Sequence, residues 1–325
     1  MSGGLPEGPG APARRHAEGD RAPLSLPTAR RARLGPSCTT VNWSAASSTL
    51  RGVRAIADVA RGPGFAISTV RCHDDHTRWS SPEVRDGYNL VLARRGRFRR
   101  RVGGVETDID ATTAYLGRPD TEEQFAHPAG GDVCTWINVQ PQVWRAWTGE
   151  AAPPALSTVY VDAHLDLAHR RVLAAARTGD VDYAVAQLLL DLVGGVLQQV
   201  DAGPAAMQRE AHHSDRAVVA AAREAILAGH PAAHALPPLA ASLATSPFRL
   251  SRAFTREMGV SITRYRNRVR VARALDRLEH GENNLAILAA DLGFADQAHL
   301  RRAVRQHLGH TPTAVRRMLR PTPPD

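Results

Sequence analysis

Two kinds of hydrophobic periodicity divide the chain. From about Phe65 to Pro141, apolar and polar residues alternate with a period of two, and turn residues separate the runs. Beyond about residue 160, apolar residues recur every three or four positions. Alternation is typical of half-buried strands, and the longer period is typical of amphipathic helices. The pattern therefore predicts an N-terminal β domain followed by a helical C-terminal half.

Short strands are predicted throughout the first region. They cover residues 65–72, 88–93, 98–102, 105–109, 112–117 and 132–139. Gly103-Gly104 separates two of these runs, which indicates a tight hairpin turn. Many short strands at this spacing favour a small barrel or sandwich. Helices are predicted to follow at residues 164–177 and 180–199.

The second of these helices carries a long apolar stripe of Val181, Val185, Leu188, Leu192 and Val196. One interpretation is that the stripe packs on the barrel. The other is that it packs against a second copy of the chain, because it covers nearly three heptads. Both can hold through different faces of the helix. We therefore expect a homodimer through residues 180–199.

Composition divides the rest of the chain. Residues 1–36 contain 12 Gly or Pro and few large apolar side chains, which predicts a disordered tail. Residues 201–214 have the composition of a linker. The predicted domains are thus a barrel at 37–160, a helical dimerisation region at 161–200, and a helical domain at 215–320.

An internal repeat organises the helical domain. The apolar pattern of residues 239–243 recurs at 288–292, an offset of 49, and that of 250–259 recurs at 300–309, an offset of 50. One extra residue in the second turn, near Gly293-Phe294, accounts for the difference. A short helix, a tight turn and a second helix form a helix-turn-helix unit, so the sequence predicts two such units.

The second helix of each unit has clear start and stop signals. Ser246 is a good N-cap with Pro247 at the first helical position, and Asp296 takes the cap role in the second unit. Gly259 and Gly309 follow the last turns as left-handed stops. Arg side chains are predicted on the exposed face of both helices, which favours contact with DNA.

A connecting helix at residues 262–280 joins the two units. Its 19 residues span about 28 Å at ~1.5 Å per residue. Because one turn of DNA is roughly 34 Å long, a single chain could place two helices in successive major grooves. The six Arg of this helix are expected to contact the phosphate backbone.

Charge locates the polyanion partner in this domain. All 41 basic residues are Arg, and residues 215–320 hold 17 of them against 8 acidic residues. The rest of the chain is neutral overall, so the net charge of +9 belongs to the repeat. No apolar run is long enough for a membrane span, and no secretory signal precedes the first strand. Three Cys without a Cys-x-x-Cys pair indicate neither a disulfide framework nor a zinc site, which favours the cytoplasm.

These motifs resemble the AraC/XylS family of transcriptional regulators. The resemblance rests on Ser246-Pro-Phe-Arg-Leu-Ser-Arg-Ala-Phe254, Gly259, Arg270-Val-x-x-Ala274, Gly293-Phe294 and Gly309-His-Thr-Pro312 followed by Arg316. It implies an α+β protein of two domains. The first is a cupin-like sensor barrel with trailing helices, and the second is an all-α domain of two helix-turn-helix units on a long shared helix.

The resemblance also implies a function and a set of DNA-contacting residues. Family members usually activate transcription, which makes double-stranded DNA, RNA polymerase and a small-molecule effector the expected partners. By position, the expected DNA contacts are Phe248, Arg249, Ser251, Arg252, Gln297, Ala298, Arg301 and Arg302. Leu300 and Val304 replace the usual Phe and Val315 the usual Tyr, which alters packing more than fold.

The N-terminal half carries candidate site chemistry of its own. His73, His76, Glu83 and His127 invite a metal, but a His-x-x-His pair on a strand places the rings on opposite faces. Cys72 and Cys134 are either a redox pair or inert buried thiols, and four Trp (Trp79, Trp136, Trp144 and Trp147) either line a pocket or fill the core.

We therefore expect a non-enzymatic DNA-binding regulator without cofactor, metal or catalytic residues, whose effector site is unknown. One alternative is a metal-dependent cupin enzyme with a DNA-binding tail, which requires a metal near His73 or His76. The other is a dimeric regulator that responds to no ligand.

Overall fold

The N-terminal domain is a curled antiparallel sheet. The computed structural model describes residues 54–73, 77–149, 157–202 and 213–320. Within these residues the sheet has nine strands: β1 (Arg54–Gly62), β2 (Phe65–Cys72), β3 (Tyr88–Arg95), β4 (Arg97–Val102), β5 (Val105–Asp110), β6 (Thr113–Gly117), β7 (Gln124–Ala126), β8 (Asp132–Val139) and β9 (Ser157–Tyr160). Their order is β1-β2-β8-β3-β6-β5-β4-β7, and β9 pairs with β6. The sheet forms a half-barrel.

Ten α-helices lie within the same residues. Three follow or interrupt the sheet and seven build the C-terminal region: α1 (Pro141–Thr148), α2 (Ala163–Ala176), α3 (Ala186–Ala202), α4 (His213–Ala228), α5 (Leu236–Ser242), α6 (Pro247–Met258), α7 (Ile262–Glu279), α8 (Leu285–Asp291), α9 (Gln297–Leu308) and α10 (Pro312–Leu319). The predicted α+β fold with two domains is confirmed.

Alternation along the strands gives the sheet two different faces. Ile67, Leu90 and Ile137 lie on the face that packs against α1, α2 and α3. Val91 and Cys134 lie on the opposite face, which lines a cavity inside the half-barrel. Adjacent residues of one strand therefore contact the helices on one side and the cavity on the other.

The predicted strands agree with the structure, although three strands and one helix were missed. Both residues of the Gly103-Gly104 turn have positive φ, 53° and 81°, as a two-residue hairpin turn requires. β1, β7, β9 and α1 were not predicted. β1 is an edge strand exposed along most of its length, and β7 and β9 have three and four residues, so none carries a long alternating pattern.

The apolar stripe predicted for dimerisation is used within the chain. A π-helical turn at Val181–Val185 leads into α3, and Val185, Leu192 and Val196 are buried against the sheet. Val181–Val200 is also long and apolar enough to cross a membrane. Helices that pack on the core of a protein often have the same length and apolar composition. The predicted tail at 1–36 and most of the predicted linker at 201–214 lie outside the described residues.

The C-terminal region has one hydrophobic core for each helix-turn-helix unit. Leu250, Phe254 and Tyr265 are fully buried in the first, and Leu300 and Val315 in the second. Ala163 and Leu167 of α2 are buried in the second core as well, so a helix that follows the sheet contributes to the core of the C-terminal region.

Buried ion pairs join α2 to the connecting helix α7. Arg268 of α7 donates to the carbonyl oxygen of Val161 at 2.8 Å and lies 3.2 Å from Asp166 Oδ2. Arg170 Nε donates to Asp166 Oδ1 at 2.7 Å, and its Nη1 reaches Glu279 Oε2 at 2.8 Å. Although burial opposes ionisation, Arg170 and Arg268 lower the pKa of the Asp166 carboxyl, so the buried network is charged.

A buried histidine joins α2 to the sheet and makes stability depend on pH. His169 Nε2 lies 2.8 Å from Thr135 Oγ1 of β8. Burial, reinforced by nearby Arg94, lowers the pKa of His169 to about 3. In the unfolded chain, the imidazole of His169 takes up a proton near pH 6.5. In the folded chain, the same imidazole stays neutral at that pH. We therefore expect the free energy of unfolding to fall by up to about 1.4 kcal/mol per pH unit as pH drops below 6.5.

The matched variant for this prediction is His169→Gln, which keeps a hydrogen-bonding group and removes the titration. Urea unfolding of both proteins at about pH 7, 6 and 5 should give a shallower loss of stability for the variant. Parallel losses in the two proteins would contradict a neutral buried His169.

Candidate nucleic-acid interface

Capping residues set the ends of the two candidate reading helices. Ser246 Oγ accepts a hydrogen bond from the amide of Arg249 at the start of α6, and Asp296 Oδ1 accepts one from the amide of His299 at the start of α9. Gly259 and Gly309 end the helices with φ of 67° and 68°. Both predicted pairs of helix signals are present, so the two helices start and stop at equivalent positions.

The turns of the two units differ by the one predicted extra residue. Gly293 has φ of 68° in the second turn, and Ala244 occupies the corresponding left-handed position of the first turn with φ of 50°. Arg270 of α7 donates to the carbonyl oxygen of Gly293 and stacks 4.8 Å from the centroid of the Phe294 ring. The second turn is thereby attached to the connecting helix.

The exposed face of α6 presents an aromatic ring and an Arg together. Phe248 is 70% exposed, and the guanidinium of Arg252 lies 5.4 Å from its ring centroid. Both side chains point away from Leu250 and Phe254, which fill the core. Arg249 instead lies on the flank of the helix, where it pairs with Asp215 of α4 at 3.1 Å.

The exposed face of α9 has the same layout at an offset of 50 residues. Arg302 corresponds to Arg252, and Ala298 corresponds to Phe248. Both α9 residues are exposed, opposite the buried Leu300. The position equivalent to Arg249 is His299, which packs edge-on against Phe294 at 5.3 Å. In both units, therefore, the flanking residue, Arg249 or His299, contacts another residue of the chain. The equivalent Arg252 and Arg302 are exposed.

The structure thus divides the eight predicted contact residues into groups. Four are exposed on the outer faces of the helices: Phe248, Arg252, Ala298 and Arg302. Arg301 is exposed beside them, whereas Ser251 and Gln297 are half-buried. Arg249 is exposed but pairs with Asp215. Their roles in DNA contact remain predictions.

The structure excludes one Arg of the connecting helix from phosphate contact. Arg268 is buried in contacts with the N-terminal domain, so the expectation is wrong for this residue. Arg270 holds the second turn, Arg273 donates to the carbonyl oxygen of Leu227, and Arg277 pairs with Glu282 and Asp291. These three side chains are partly exposed, and their contact with phosphates stays a prediction.

The cavity of the half-barrel is the candidate effector site. Val91, Phe98, Tyr115 and Trp136 contribute apolar walls. Its free volume is about 60 Å³, well below the ~300–1,000 Å³ of pockets for drug-sized ligands, so this conformation suits a small ligand. Of the four Trp, Trp136 lines this cavity, whereas Trp144 is buried and stacks on Tyr88.

Two Arg and one Glu lie at the edge of this cavity. Arg54 binds both carboxylate oxygens of Glu83 at 3.1–3.2 Å, and Arg85 reaches the same carboxylate at 2.6 Å. Arg85 also lies 4.5 Å over the ring of Trp136. One carboxylate neutralises only one of the two guanidinium groups, which leaves a positive charge beside the apolar walls.

A second polar group lies in the wall of the same cavity. His127 Nδ1 is 2.8 Å from Asp132 Oδ1, and Cys134 Sγ donates to Asp132 Oδ2 at 2.8 Å. Although burial opposes it, hydrogen bonding to Asp132 and Cys72 raises the pKa of His127 to about 9. Burial, reinforced by Asp132, raises the pKa of the Cys134 thiol, which therefore stays protonated.

The metal set considered from sequence is not the one that the structure gathers. His73 is exposed, Glu83 is paired with Arg54 and Arg85, and His76 lies outside the described residues. His127 instead meets Cys72 and Asp132. Sequence reasoning missed this group because Cys72 and Asp132 become neighbours only through the register of β2 on β8.

The comparison with known families identifies the C-terminal domain. Residues 239–318 match a family described as a helix-turn-helix domain. The match covers both units and the connecting helix. It confirms the AraC-type resemblance of this region and supports a DNA-binding transcription regulator as the class of protein. No curated protein matches the sequence.

The chain is similar to several solved structures. ToxT from Vibrio cholerae with a bound unsaturated fatty acid has 13% identity and a TM-score of 0.35, over 82% of this chain and 99% of that one. The C-terminal domain of AraT, a response regulator from Geobacillus stearothermophilus, has 26% identity over 32% of this chain and 88% of its own, with a TM-score of 0.30. A cupin superfamily protein from Desulfitobacterium hafniense has 14% identity over 27% of this chain and 79% of its own, with a TM-score of 0.24.

The two turns give a matched test of backbone strain. Gly293→Ala would place a Cβ at φ 68° and 2.7 Å from Arg270 Nη2, so we expect it to lower the free energy of unfolding by about 1–3 kcal/mol. Ala244→Gly removes the Cβ from the same left-handed conformation in the first turn. It should leave the free energy of unfolding unchanged or raise it by up to ~1 kcal/mol. Urea unfolding of both variants measures the two changes. If Gly293→Ala leaves the free energy of unfolding unchanged, the second turn does not require a glycine at this left-handed position.

Proposed function

We propose that this protein binds a specific DNA site through α6 and α9 and regulates transcription in response to a small molecule held in the half-barrel. The observation that carries the DNA part is the repetition of Arg252 as Arg302. Both lie at equivalent exposed positions of capped helices that the same connecting helix holds. Arg reads guanine edges in the major groove with two hydrogen bonds.

The spacing of the two units supports reading by a single chain. Helix α7 has 18 residues, which corresponds to about 27 Å at ~1.5 Å per residue. Successive major-groove faces of DNA repeat at roughly 34 Å. Two reading helices on one connecting helix can therefore bind adjacent half-sites of unequal sequence. The second half-site meets Ala298 where the first meets Phe248, which favours a methyl contact there.

The first test is the substitution Arg252→Ala or Arg302→Ala in the full-length chain. DNA sites are first selected from a random duplex library by the unmodified protein. Each variant should bind the selected site about 1–3 kcal/mol more weakly and lose discrimination at one base pair, because a bidentate contact to a base is removed. Quantitative gel-shift titration against specific and random duplexes measures both effects.

Arg61→Ala is the matched control for charge, because it removes a guanidinium from strand β1, where Arg61 pairs with Asp58. It should leave the preference among sites unchanged. Equal weakening of specific and random DNA by Arg252→Ala and Arg302→Ala would show that these residues contact phosphates only.

A contiguous set of contacts supports a response to a ligand. Cys134 of β8 faces the cavity, and the next residue, Thr135, faces α2 and contacts His169. Arg170 is the next residue of α2 and contacts Glu279 of α7, and Asp166, about one turn before His169, contacts Arg268 of α7. A ligand that shifts β8 would therefore act on the helix that carries both reading units. The apolar walls and the surplus Arg favour a small, mainly apolar molecule with an anionic group.

The second test locates the effector. A thermal-shift screen of small organic acids on the full-length chain should give a compound that stabilises the protein, by about 2.7 kcal/mol at 100 times its Kd. Val70→Phe fills the cavity and should reduce that shift, whereas Val84→Phe, at an exposed position, should not. An unchanged shift in Val70→Phe would place the binding site elsewhere. The compound should also change the affinity for the selected DNA.

The remaining expected properties belong to this proposal as well. We propose that the protein acts in the cytoplasm, contacts RNA polymerase as an activator and is not an enzyme. We also propose that it forms a homodimer through residues 180–199. The exposed ring of Tyr183 supports a contact on this segment, by a face other than the buried stripe.

A further inference from the structure

Three metal-ligating side chains converge in the wall of the sensor cavity. Cys72, His127 and Asp132 are all buried, and one potential ligand atom from each lies within 4.8 Å of the other two. A thiol, an imidazole and a carboxylate are ligands that Zn²⁺ takes together. We propose that these three residues bind one Zn²⁺ ion, with the fourth coordination position open to the cavity.

The backbone fixes two of the three ligands before any ion binds. Cys72 and Asp132 are directly paired across β2 and β8, so their side chains lie on the same face. The strands approach closely at this point, since a Cβ on Gly131 would lie 2.3 Å from the carbonyl oxygen of Cys72. His127 reaches the pair from the tight connection between β7 and β8. A preformed site of this kind needs little reorganisation to bind metal.

A tetrahedral ion requires the three ligand atoms, which lie within 4.8 Å of one another, to adjust their positions. With bonds of about 2.0–2.3 Å, ligand atoms on tetrahedral Zn²⁺ lie roughly 3.3–3.6 Å apart. His127 Nδ1 and Asp132 Oδ1 are now 2.8 Å apart, so they must separate by about half an ångström to admit the ion. The ion would then replace the proton that the two groups share.

The charges of the ligands match a divalent cation. Once Cys72 gives up its proton to the ion, the thiolate and the Asp132 carboxylate together neutralise the two positive charges of the ion, and His127 binds as a neutral ligand. The surplus guanidinium charge of Arg54 and Arg85 opposes the ion, so the three ligands must outweigh it. Uncompensated buried charges in an apolar wall would be costly. Cys134 donates to the second oxygen of Asp132 and so orients that carboxylate, as hydrogen-bonding neighbours of metal ligands commonly do.

All three ligands line the cavity, which leaves a coordination position accessible from it. Structural zinc sites have four protein ligands, whereas sites with three bind water or an exogenous ligand as well. The free volume of about 60 Å³ admits a small anionic group at that position. The ion would therefore give the cavity a preference for small anionic ligands. This goes beyond the proposed DNA-binding function and does not depend on it.

The test loads the full-length, chelator-treated protein with Co²⁺ or Zn²⁺. One ion per chain should remain after gel filtration, and the Co²⁺ protein should show a thiolate-to-cobalt charge-transfer band. Cys72→Ser should abolish the band and weaken Zn²⁺ binding by more than about 100-fold, the upper range for loss of a neighbour of a metal ligand. His127→Gln and Asp132→Asn should also weaken binding.

Cys38→Ser is the matched control, because it makes the same one-atom change at a cysteine that is not assigned to the site, and it should keep the band and one ion per chain. Cys134→Ala removes the hydrogen bond to Asp132 and should keep the band but weaken Zn²⁺ binding by less than Cys72→Ser does. Thermal unfolding confirms that each variant folds, and Cys72→Ser changes only one atom. Absence of bound metal, survival of the band in Cys72→Ser, loss of the band in Cys38→Ser, or a disulfide between Cys72 and Cys134 would overturn the proposal. None of these outcomes bears on DNA binding by α6 and α9, which is measured separately.

Discussion

The buried pairing of Asp166 with Arg170 and Arg268 holds the two halves of this protein in one arrangement. Removing one partner of a buried ion pair costs about 3–5 kcal/mol, because the charge left behind loses its compensation. Here the partners belong to α2 of the sensor and to α7, the helix shared by both reading units. The carbonyl oxygen of Val161 also accepts from Arg268, which fixes the guanidinium in a defined direction. The orientation of the reading helices relative to the sheet thus depends on a few directional bonds.

Other Arg of the helical domain also make contacts within the chain rather than with DNA. The net charge of residues 215–320 indicated a polyanion partner, and the domain match agrees. Yet Arg223 pairs with Asp110 of β5, and Arg273 caps the carbonyl end of α4. Charge in this domain therefore serves two purposes: inner guanidinium groups hold helices and sheet together, and those on α6 and α9 remain exposed. Counting Arg along the sequence could not separate the two groups.

Local signals in the sequence predicted the DNA-binding domain well. Ser246, Asp296, Gly259 and Gly309 act through hydrogen bonds and backbone angles within a few residues, so their roles can be read directly. The sensor site could not be read in this way. Cys72 and Asp132 are 60 positions apart and become neighbours only through strand register, and a one-residue slip would move one of them to the opposite face. The partner of α3 could not be predicted from sequence either, because an apolar stripe of this kind is equally suited to packing on a barrel or on a second helix.

Strand β8 connects the proposed ligand cavity to the helices that position the DNA-reading units. Its alternation sends Asp132, Cys134 and Trp136 into the cavity, while Thr135 and Ile137 face the helices. A rigid strand that carries ligand-facing and helix-facing residues in turn cannot move one set without the other. A ligand that displaces this strand by a few tenths of an ångström would also displace His169, which contacts Thr135. Asp166, one helical turn away on α2, would move with it. Because packed cores switch between discrete arrangements rather than deform continuously, a shift of this size can reorient α7 and both reading helices.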